Sequence, residues 1–409
     1  MLYRRFILSA CCCALCCSLS SMAQDGTPLE CRKPLASPSV MFLVPADKNS
    51  VFWQDVVSYI TLASEQLQIT LDVHYLEEDQ RNRFKHAKSI NEILASNPKP
   101  DYLITFLTNG LEQDIISRIS QEKIFLFSFN APLTPEIIRR TGTPREYFPY
   151  WIGHISPDEV NAGFALADHL IRLSHEANNL QQTEFNLIAI SGRKSSQVGQ
   201  MREQGLLERL DKSDNIQLLQ AVDADWSYDK ARFMIKKLLT RYENIDIIWT
   251  ASDLISMAVV DEIEQSKPEM LDKVTIGSID WTNEIKPYLE NQRVAVSYGG
   301  HVFEAGWIIP LIFDHYNKHD FFNELGGIIS DQMQAITSVN SHRLDRTQLS
   351  EVDFSGISKC FRGVNKPYRF NAYTQLESLV PQKLNSQLKS QLDPRLQEQM
   401  EKEIKQQKH

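Results

Sequence analysis

The residues of this chain that are fit for chemistry sit in short polar or aromatic clusters, each just after an apolar run. The first cluster is Asp47-Lys48-Asn49-Ser50-Val51-Phe52-Trp53. The others are Asn130, the stretch from Arg193 to Arg202, Asp225-Trp226, Ser252-Asp253, Asp280-Trp281 and Gly299-Gly300-His301. Three aromatics, Phe52, Trp53 and Trp226, can stack on a flat or ring-shaped molecule. The carboxylates of Asp253 and Asp280, the amide of Asn130 and the guanidinium of Arg202 are planar groups suited to vicinal hydroxyls. A sugar presents apolar C–H faces and a rim of hydroxyls, so the set suits a hydroxyl-rich ring. Each residue also has a packing alternative: Trp53 and Trp226 as core or hinge side chains, Asp280 as the cap of a helix starting near Thr282.

The usual catalytic signatures are missing. No Gly-x-x-x-x-Gly-Lys-Ser/Thr loop is present, and no Gly-x-Gly-x-x-Gly follows a strand, so no cofactor is expected. There is no Gly-x-Ser-x-Gly elbow, and no His-Glu-x-x-His spacing among the ten histidines. Ser191-Gly192 ends an apolar run, but no base can be assigned to it, and it reads as a polar turn. The expectation is a binding protein and not an enzyme.

The elements that must carry these clusters alternate strictly. Val40–Val44 is a continuous apolar strand, Ile69–Tyr75 the next strand, and Tyr102–Leu107 and Ile124–Phe129 are buried strands, with helical spacings between them, as in Trp53, Val56, Val57, Ile60 and Leu67. A second cycle follows Trp151–Ile155, with strands at Phe185–Ile190, Ile216–Val222, Ile245–Trp249, Val274–Ile279 and Val294–Tyr298. Val302 to Tyr316 is a long apolar helix, and Met333–Val339 a final short strand. Alternating strand and helix implies α/β architecture with parallel sheets covered on both faces. Residues 39–155 and 156–300 form two similar units. The helix after the second unit has no sheet of its own and is expected to return to the first, which gives lobes of 39–155 plus 301–332 and 156–300 plus 333–345, with an extension over 346–409.

The ends of the chain place it outside the cytoplasm. Met1–Arg5 is short and basic, Phe6–Leu19 is apolar, and Ser21-Met22-Ala23 supplies the small residues of a cleavage site, so residues 1–23 read as a signal peptide. Leu8-Ser9-Ala10-Cys11 also matches a lipidation box, but the apolar run before Cys11 is short for that route. Cleavage after Ala23 removes five of the seven cysteines and leaves Cys31 and Cys360. In an oxidising compartment these two are expected to pair, the alternative being two separate thiols. The net charge of −9 argues against a nucleic-acid partner. From Gln375 to His409 the composition turns to Gln, Lys, Glu, Leu and Ser, which reads as a solvated tail.

Taken in order, these motifs resemble the type I periplasmic binding proteins of the ribose and galactose class. The resemblance rests on the Phe52-Trp53 pair, on Gly153-His154-Ile155-Ser156-Pro157-Asp158-Glu159 followed by Gly163, and on Arg202-Glu203-Gln204-Gly205. Ser252-Asp253 and Gly277-Ser278-Ile279-Asp280 complete it, over residues 39–339. It implies two doubly wound lobes joined by three strands, closing on a ligand like a hinged trap. The family's ligand residues carry over to Asn49 or Ser50, Phe52, Trp53, Asn130, Arg202, Trp226, Ser252 and Asp280, with His301 or Gly300 at the last position. Asn130 and Ser252 depart from the ribose-binding pattern, as does Gly299-Gly300-His301, so the ligand's identity stays open. The resemblance further implies a monomer in the periplasm that presents its ligand to an ABC permease, or to the periplasmic domain of a sensor kinase or cyclase. A repressor of the same fold would need an N-terminal helix-turn-helix, for which the signal segment leaves no room.

Overall fold

The computed structural model describes residues 29–76, 83–177, 184–345 and 352–372. The expected signal peptide, the lipidation box and the Gln375–His409 tail lie outside these residues. The first half runs β1 (Ser39–Val44), α1 (Val51–Gln66), β2 (Thr70–Tyr75), α2 (Arg83–Leu94), β3 (Tyr102–Thr105), α3 (Glu112–Gln121), β4 (Phe125–Phe129), α4 (Pro135–Thr141) and β5 (Trp151–Pro157). The second half repeats the rhythm with α5 (Glu159–Ala177), β6 (Phe185–Ser191), α6 (Gln197–Leu210), β7 (Ile216–Asp223), α7 (Tyr228–Arg241) and β8 (Ile247–Thr250). It continues with α8 (Asp253–Ser266), β9 (Thr275–Asp280), α9 (Lys286–Glu290) and β10 (Val296–Gly299). Then come α10 (Glu304–Tyr316), α11 (Phe322–Leu325), β11 (Ile328–Asp331), β12 (Gln334–Ile336) and α12 (Lys359–Arg362).

These strands form two six-stranded sheets, ordered β11-β5-β4-β3-β1-β2 and β12-β10-β9-β8-β6-β7. All pairings are parallel except β10 with β12. Successive residues of a strand point to opposite faces, and both faces are buried here. In β1, Phe42 and Val44 join the core under α1 and α10, while Met41 and Leu43 join a second cluster with Ile115, Ile116 and Ile119 of α3. That double burial is why the central strands read as continuous apolar runs.

The chain passes between the sheets three times: from β5 into α5, from β10 into α10, and from β11 into β12. The first and third passages are tied together, since the Asp158 amide donates to the Asp331 carbonyl at 2.9 Å. Strand β11 was not anticipated from sequence. It is four residues long, lies at the sheet edge, and exposes Ile328, so it lacks the buried run that marks the central strands.

Residues 352–372 form a strap over the first lobe. The Gln66 side chain at the end of α1 donates to the Val352 carbonyl at 2.6 Å and accepts from the Phe354 and Ser355 amides. Phe354 lies against Gly306 of α10, where a Cβ would come within 2.5 Å of its ring. Buried Asp314 accepts from the Lys359 and Cys360 amides and from the Ser358 and Tyr368 hydroxyls. Cys31 and Cys360 form a disulfide with their Cα atoms 5.8 Å apart.

Candidate functional site

The carboxyl ends of the two sheets face each other. Phe52, at the start of α1, stacks on His301, which follows β10, with ring centres 4.9 Å apart. Farther out, Gln197 at the start of α6 donates to the Pro132 carbonyl in the loop after β4 at 2.5 Å. Ligands of open parallel sheets bind beyond the carboxyl ends of the strands, so the space between the lobes is the candidate site.

The first-lobe wall is aromatic. Phe52 and Trp53 are half-buried and meet edge to face at 5.2 Å, and Trp53 in turn meets Phe129 of β4 edge to face at 6.0 Å. Asn49 is exposed in the turn before α1, its amide bonded to Asp47 Oδ1 at 2.8 Å. Ser50 holds the N-cap position of α1 without using its hydroxyl on the helix. Asn130 ends β4 with φ +74°, a conformation that asparagine tolerates better than most residues, and its amide donates to the Ile155 carbonyl at 3.0 Å.

The second-lobe wall is built on a buried ion cluster. Helices α5 and α6 touch backbone to backbone, because a Cβ on Gly163 would lie 1.9 Å from the Arg202 carbonyl oxygen and one on Gly205 1.9 Å from that of Val160. This approach brings Arg202 to Glu159, 43 positions away, with Nε donating to Oε2 at 2.6 Å and Nη2 to Oε1 at 3.3 Å. Nη1 donates to the Ala251 carbonyl at 2.7 Å and to Asp280 Oδ1 at 3.0 Å, and Nη2 reaches His301 Nε2 at 3.4 Å. A guanidinium has five N–H groups. All five have a partner within the protein in this structure. Burial works against its charge, but Glu159 and Asp280 outweigh burial and raise its pKa further.

Arg202 orients its neighbours. It fixes Oδ1 of Asp280, whose Oδ2 makes no hydrogen bond among the described residues. His301 Nε2 lies 3.4 Å from the guanidinium and 3.5 Å from Asp280 Oδ1, while its Nδ1 is buried without a partner among the described residues. The Arg202 guanidinium carbon also lies 5.9 Å from the centre of the Trp226 ring.

Two expected ligand groups turn inward. The Ser252 hydroxyl caps α8, accepting from the Ile255 amide at 3.3 Å. Asp253 is fully buried in the second lobe. Its Oδ1 accepts from the Ser278 and Ser297 hydroxyls, at 2.6 and 2.7 Å. Its Oδ2 accepts from the amide and hydroxyl of Thr282, at 2.8 and 3.1 Å. Burial, and next the charge of Asp280, push its carboxyl up to about 7 against these hydrogen bonds. Asp253 is thus the group that meets Thr282, while Asp280 faces Arg202. The role of Glu159 is not legible in the sequence, where an acid at a strand end and an arginine on the next helix are its only signal. Glu304, in the first turn of α10, was missed too. It is buried and neither carboxylate oxygen has a hydrogen-bond partner among the described residues. Burial, then the charges of Asp331 and Glu159, hold its carboxyl well above the usual range.

Among the described residues no helix is long and apolar enough to cross a membrane, and no cluster of three or more histidine, cysteine or acidic residues could hold a metal. Comparison with curated proteins yields no match. Among solved structures, the fold is similar to that of a periplasmic sugar-binding protein from Pseudomonas fluorescens, at 23% identity and TM-score 0.72, covering 83% of this chain and 99% of that one. It is similar to an ABC transporter periplasmic solute-binding protein from Actinobacillus succinogenes with bound D-allose, at 15% identity and TM-score 0.64, covering 75% and 99%. It also resembles an ABC transporter solute-binding protein from Bacillus halodurans with bound myo-inositol, at 12% identity and TM-score 0.61, covering 76% and 98%. The family model described as "periplasmic binding protein domain" matches residues 40–310. The chain therefore belongs to the periplasmic binding proteins, a family of non-enzymatic proteins.

Proposed function

We propose that this protein is exported to the periplasm by cleavage of residues 1–23 and closes as a monomer around a sugar or sugar-like polyol, which it presents to an ABC importer. The jaws are residues 39–155 plus 301–332 and residues 156–300 plus 333–345. The observation that carries the reading is Asp280: one oxygen is held by Arg202, and the other makes no hydrogen bond among the described residues. In this reading the second oxygen takes a ligand hydroxyl, with the Phe52–Trp53 pair and Trp226 as the walls on either side. An oriented carboxylate accepts from hydroxyls, and the rings cover C–H faces. The ligand gains contacts from both lobes only when they close, so it shifts the population toward the closed form. Asn49, Ser50, Asn130 and His301 complete the set that faces the ligand. The solved relatives with D-allose and myo-inositol support this chemical class.

A second reading makes the chain the receptor subunit of a membrane sensor kinase or cyclase. The strap over residues 352–372 favours it, because it lies beyond the family match and gives the first lobe a surface of its own. Thermal-shift titration with D-allose, D-ribose, D-galactose, L-arabinose and myo-inositol tests the shared part of both readings. A ligand at a hundred times its Kd raises stability by about 2.7 kcal/mol, and Asp280→Ala should abolish the shift. Loss of labelled-sugar uptake in a deletion strain separates importer from sensor.

A further inference from the structure

We propose that Gly192 is the positioning residue for the Trp226 ring, and that its missing side chain sets how deeply that ring is seated. The inference rests on the reading of Trp226 as a wall of the ligand cleft. Gly192 directly follows β6. A Cβ there would lie 2.1, 2.2 and 2.3 Å from three carbons of the Trp226 indole, closer than any real side chain comes. Gly199, in the first turn of α6, comes next, its would-be Cβ 3.4 Å from the same ring. The indole therefore rests on bare main chain at 192. The backbone itself does not ask for glycine at 192, because the left-handed glycines are 110, 142, 300, 326 and 363. The nearest atoms that exclude a side chain all belong to the ring.

The segment that carries the ring is held in an unusual conformation to reach this seat. Asp225 and Trp226 are both left-handed, at φ +57° and +56°, which is uncommon for any residue with a Cβ and more so for a bulky one. Hydrogen bonds pin the segment to the strand end: the Ala224 amide to the Ser191 carbonyl at 2.9 Å and the Asp225 amide to the Gly192 carbonyl at 3.0 Å. Arg193 Nε adds a bond to Asp225 Oδ1 at 2.6 Å. The main chain at 192 is thus both the anchor of the turn and the floor under its ring. A methyl group at 192 cannot be absorbed by moving the floor, so the indole must lift off it.

The test is a double-mutant cycle read two ways. Acrylamide quenching, taken as the difference between each protein and its Trp226→Phe version, reports the exposure of this ring without any ligand. It should rise in Gly192→Ala. Affinity for D-allose, D-ribose, D-galactose, L-arabinose and myo-inositol should fall at least tenfold in Gly192→Ala for each sugar that Trp226→Ala also weakens. The pair Gly192→Ala/Trp226→Ala should bind no worse than Trp226→Ala alone, since the methyl group then meets no ring. Unchanged quenching in Gly192→Ala, or an additive loss in the pair, overturns the proposal. If Gly192→Ala fails to fold, Gly192→Ala/Trp226→Ala must fold for the seat to stand. A Trp226→Ala variant that binds every sugar as the parent does would overturn the cleft reading instead, and the quenching would still decide the seat.

Discussion

The two walls of the cleft are built on different principles. The second-lobe wall is polar and locked: Arg202 holds Glu159, Asp280, His301 and the Ala251 carbonyl at once, and a pinned turn seats Trp226. The first-lobe wall is aromatic and held mostly by ring contacts, Phe52 on Trp53 and His301, and Trp53 on Phe129. Hydrogen bonds need fixed directions and lose much when a partner is absent, whereas ring contacts tolerate small shifts. A ligand would thus meet one wall that is already ordered and one that can adjust as the lobes close. The cost of ordering the polar groups is met in folding and not in binding.

The sharpest way to break this contrast is Arg202→Met. It removes one member of a buried ion cluster and leaves the Glu159 carboxylate, fully buried, without its partner. Breaking such a cluster from one side costs about 3–5 kcal/mol, to be read from denaturant unfolding. Arg202→Lys should recover little of it, because an ammonium cannot make the forked contact. A loss under about 1 kcal/mol in Arg202→Met would mean that the second wall is no more locked than the first.

Next in size is the brace behind the aromatic wall. Helix α1 carries Phe52 and Trp53 at its start and grips the strap through Gln66 at its end, and the strap is bound to residue 31 by the disulfide. Removing the disulfide with Cys31→Ser/Cys360→Ser should cost about 2–4 kcal/mol. The loss should fall on the first lobe, so hydrogen exchange should quicken in α1 and α10 while α5 and α6 stay protected. Uniform exchange across both lobes would remove the brace from the argument.

Glu304 sets a further test, because it is the counter-example to the satisfied Arg202 cluster. Its folded pKa stands above its unfolded value, through burial first and then Asp331 and Glu159. Such a group contributes stability that is complete below the unfolded pKa and is lost as pH rises through the folded one. Asp331, pushed up to about 7 by burial, acts in the same direction. The unfolding midpoint of the parent protein should therefore fall, relative to Glu304→Gln, as pH is raised from acid through neutrality. Parallel pH curves for the two proteins would contradict an acid buried without compensation.

Much of the architecture was legible because parallel strands buried on both faces leave an unmistakable apolar run, and because two cysteines survive outside the expected signal segment. Strand β11 was not, being short, marginal and half-exposed. The site was legible to the level of strand ends. A position after a strand places a residue near the cleft, but not the direction of its side chain. Asp253 shows the gap: it opens α8 and folds back onto Ser278 of β9 and Ser297 of β10, contacts set by tertiary packing. Arg202 shows another: its type suggests a ligand group, but its buried partner Glu159, 43 positions away, is brought to it by a close helix crossing that no local pattern reveals. Trp226 is a third case: Gly192, which lies under its ring, precedes it by a whole helix and strand.

The smallest expected change in stability belongs to Phe52→Ala, and it sharpens the contrast from the other side. Phe52 is half-buried and its contacts are to rings, Trp53 and His301, so no polar group loses a partner. A ring pair of this kind contributes about 0.5–1.5 kcal/mol beyond its buried area, and the unliganded protein should lose only that order of stability. Affinity should suffer more, by about tenfold or about 1.4 kcal/mol, because in the proposed function closure brings the ring onto the ligand. The ratio of the two losses is the useful quantity. In Arg202→Met the loss should appear mainly in the unliganded protein, and in Phe52→Ala mainly on titration with the sugar that gives the largest thermal shift. Equal partition in both variants would mean that the two walls share one design, and the division into an ordered half and an adjustable half would have to be given up.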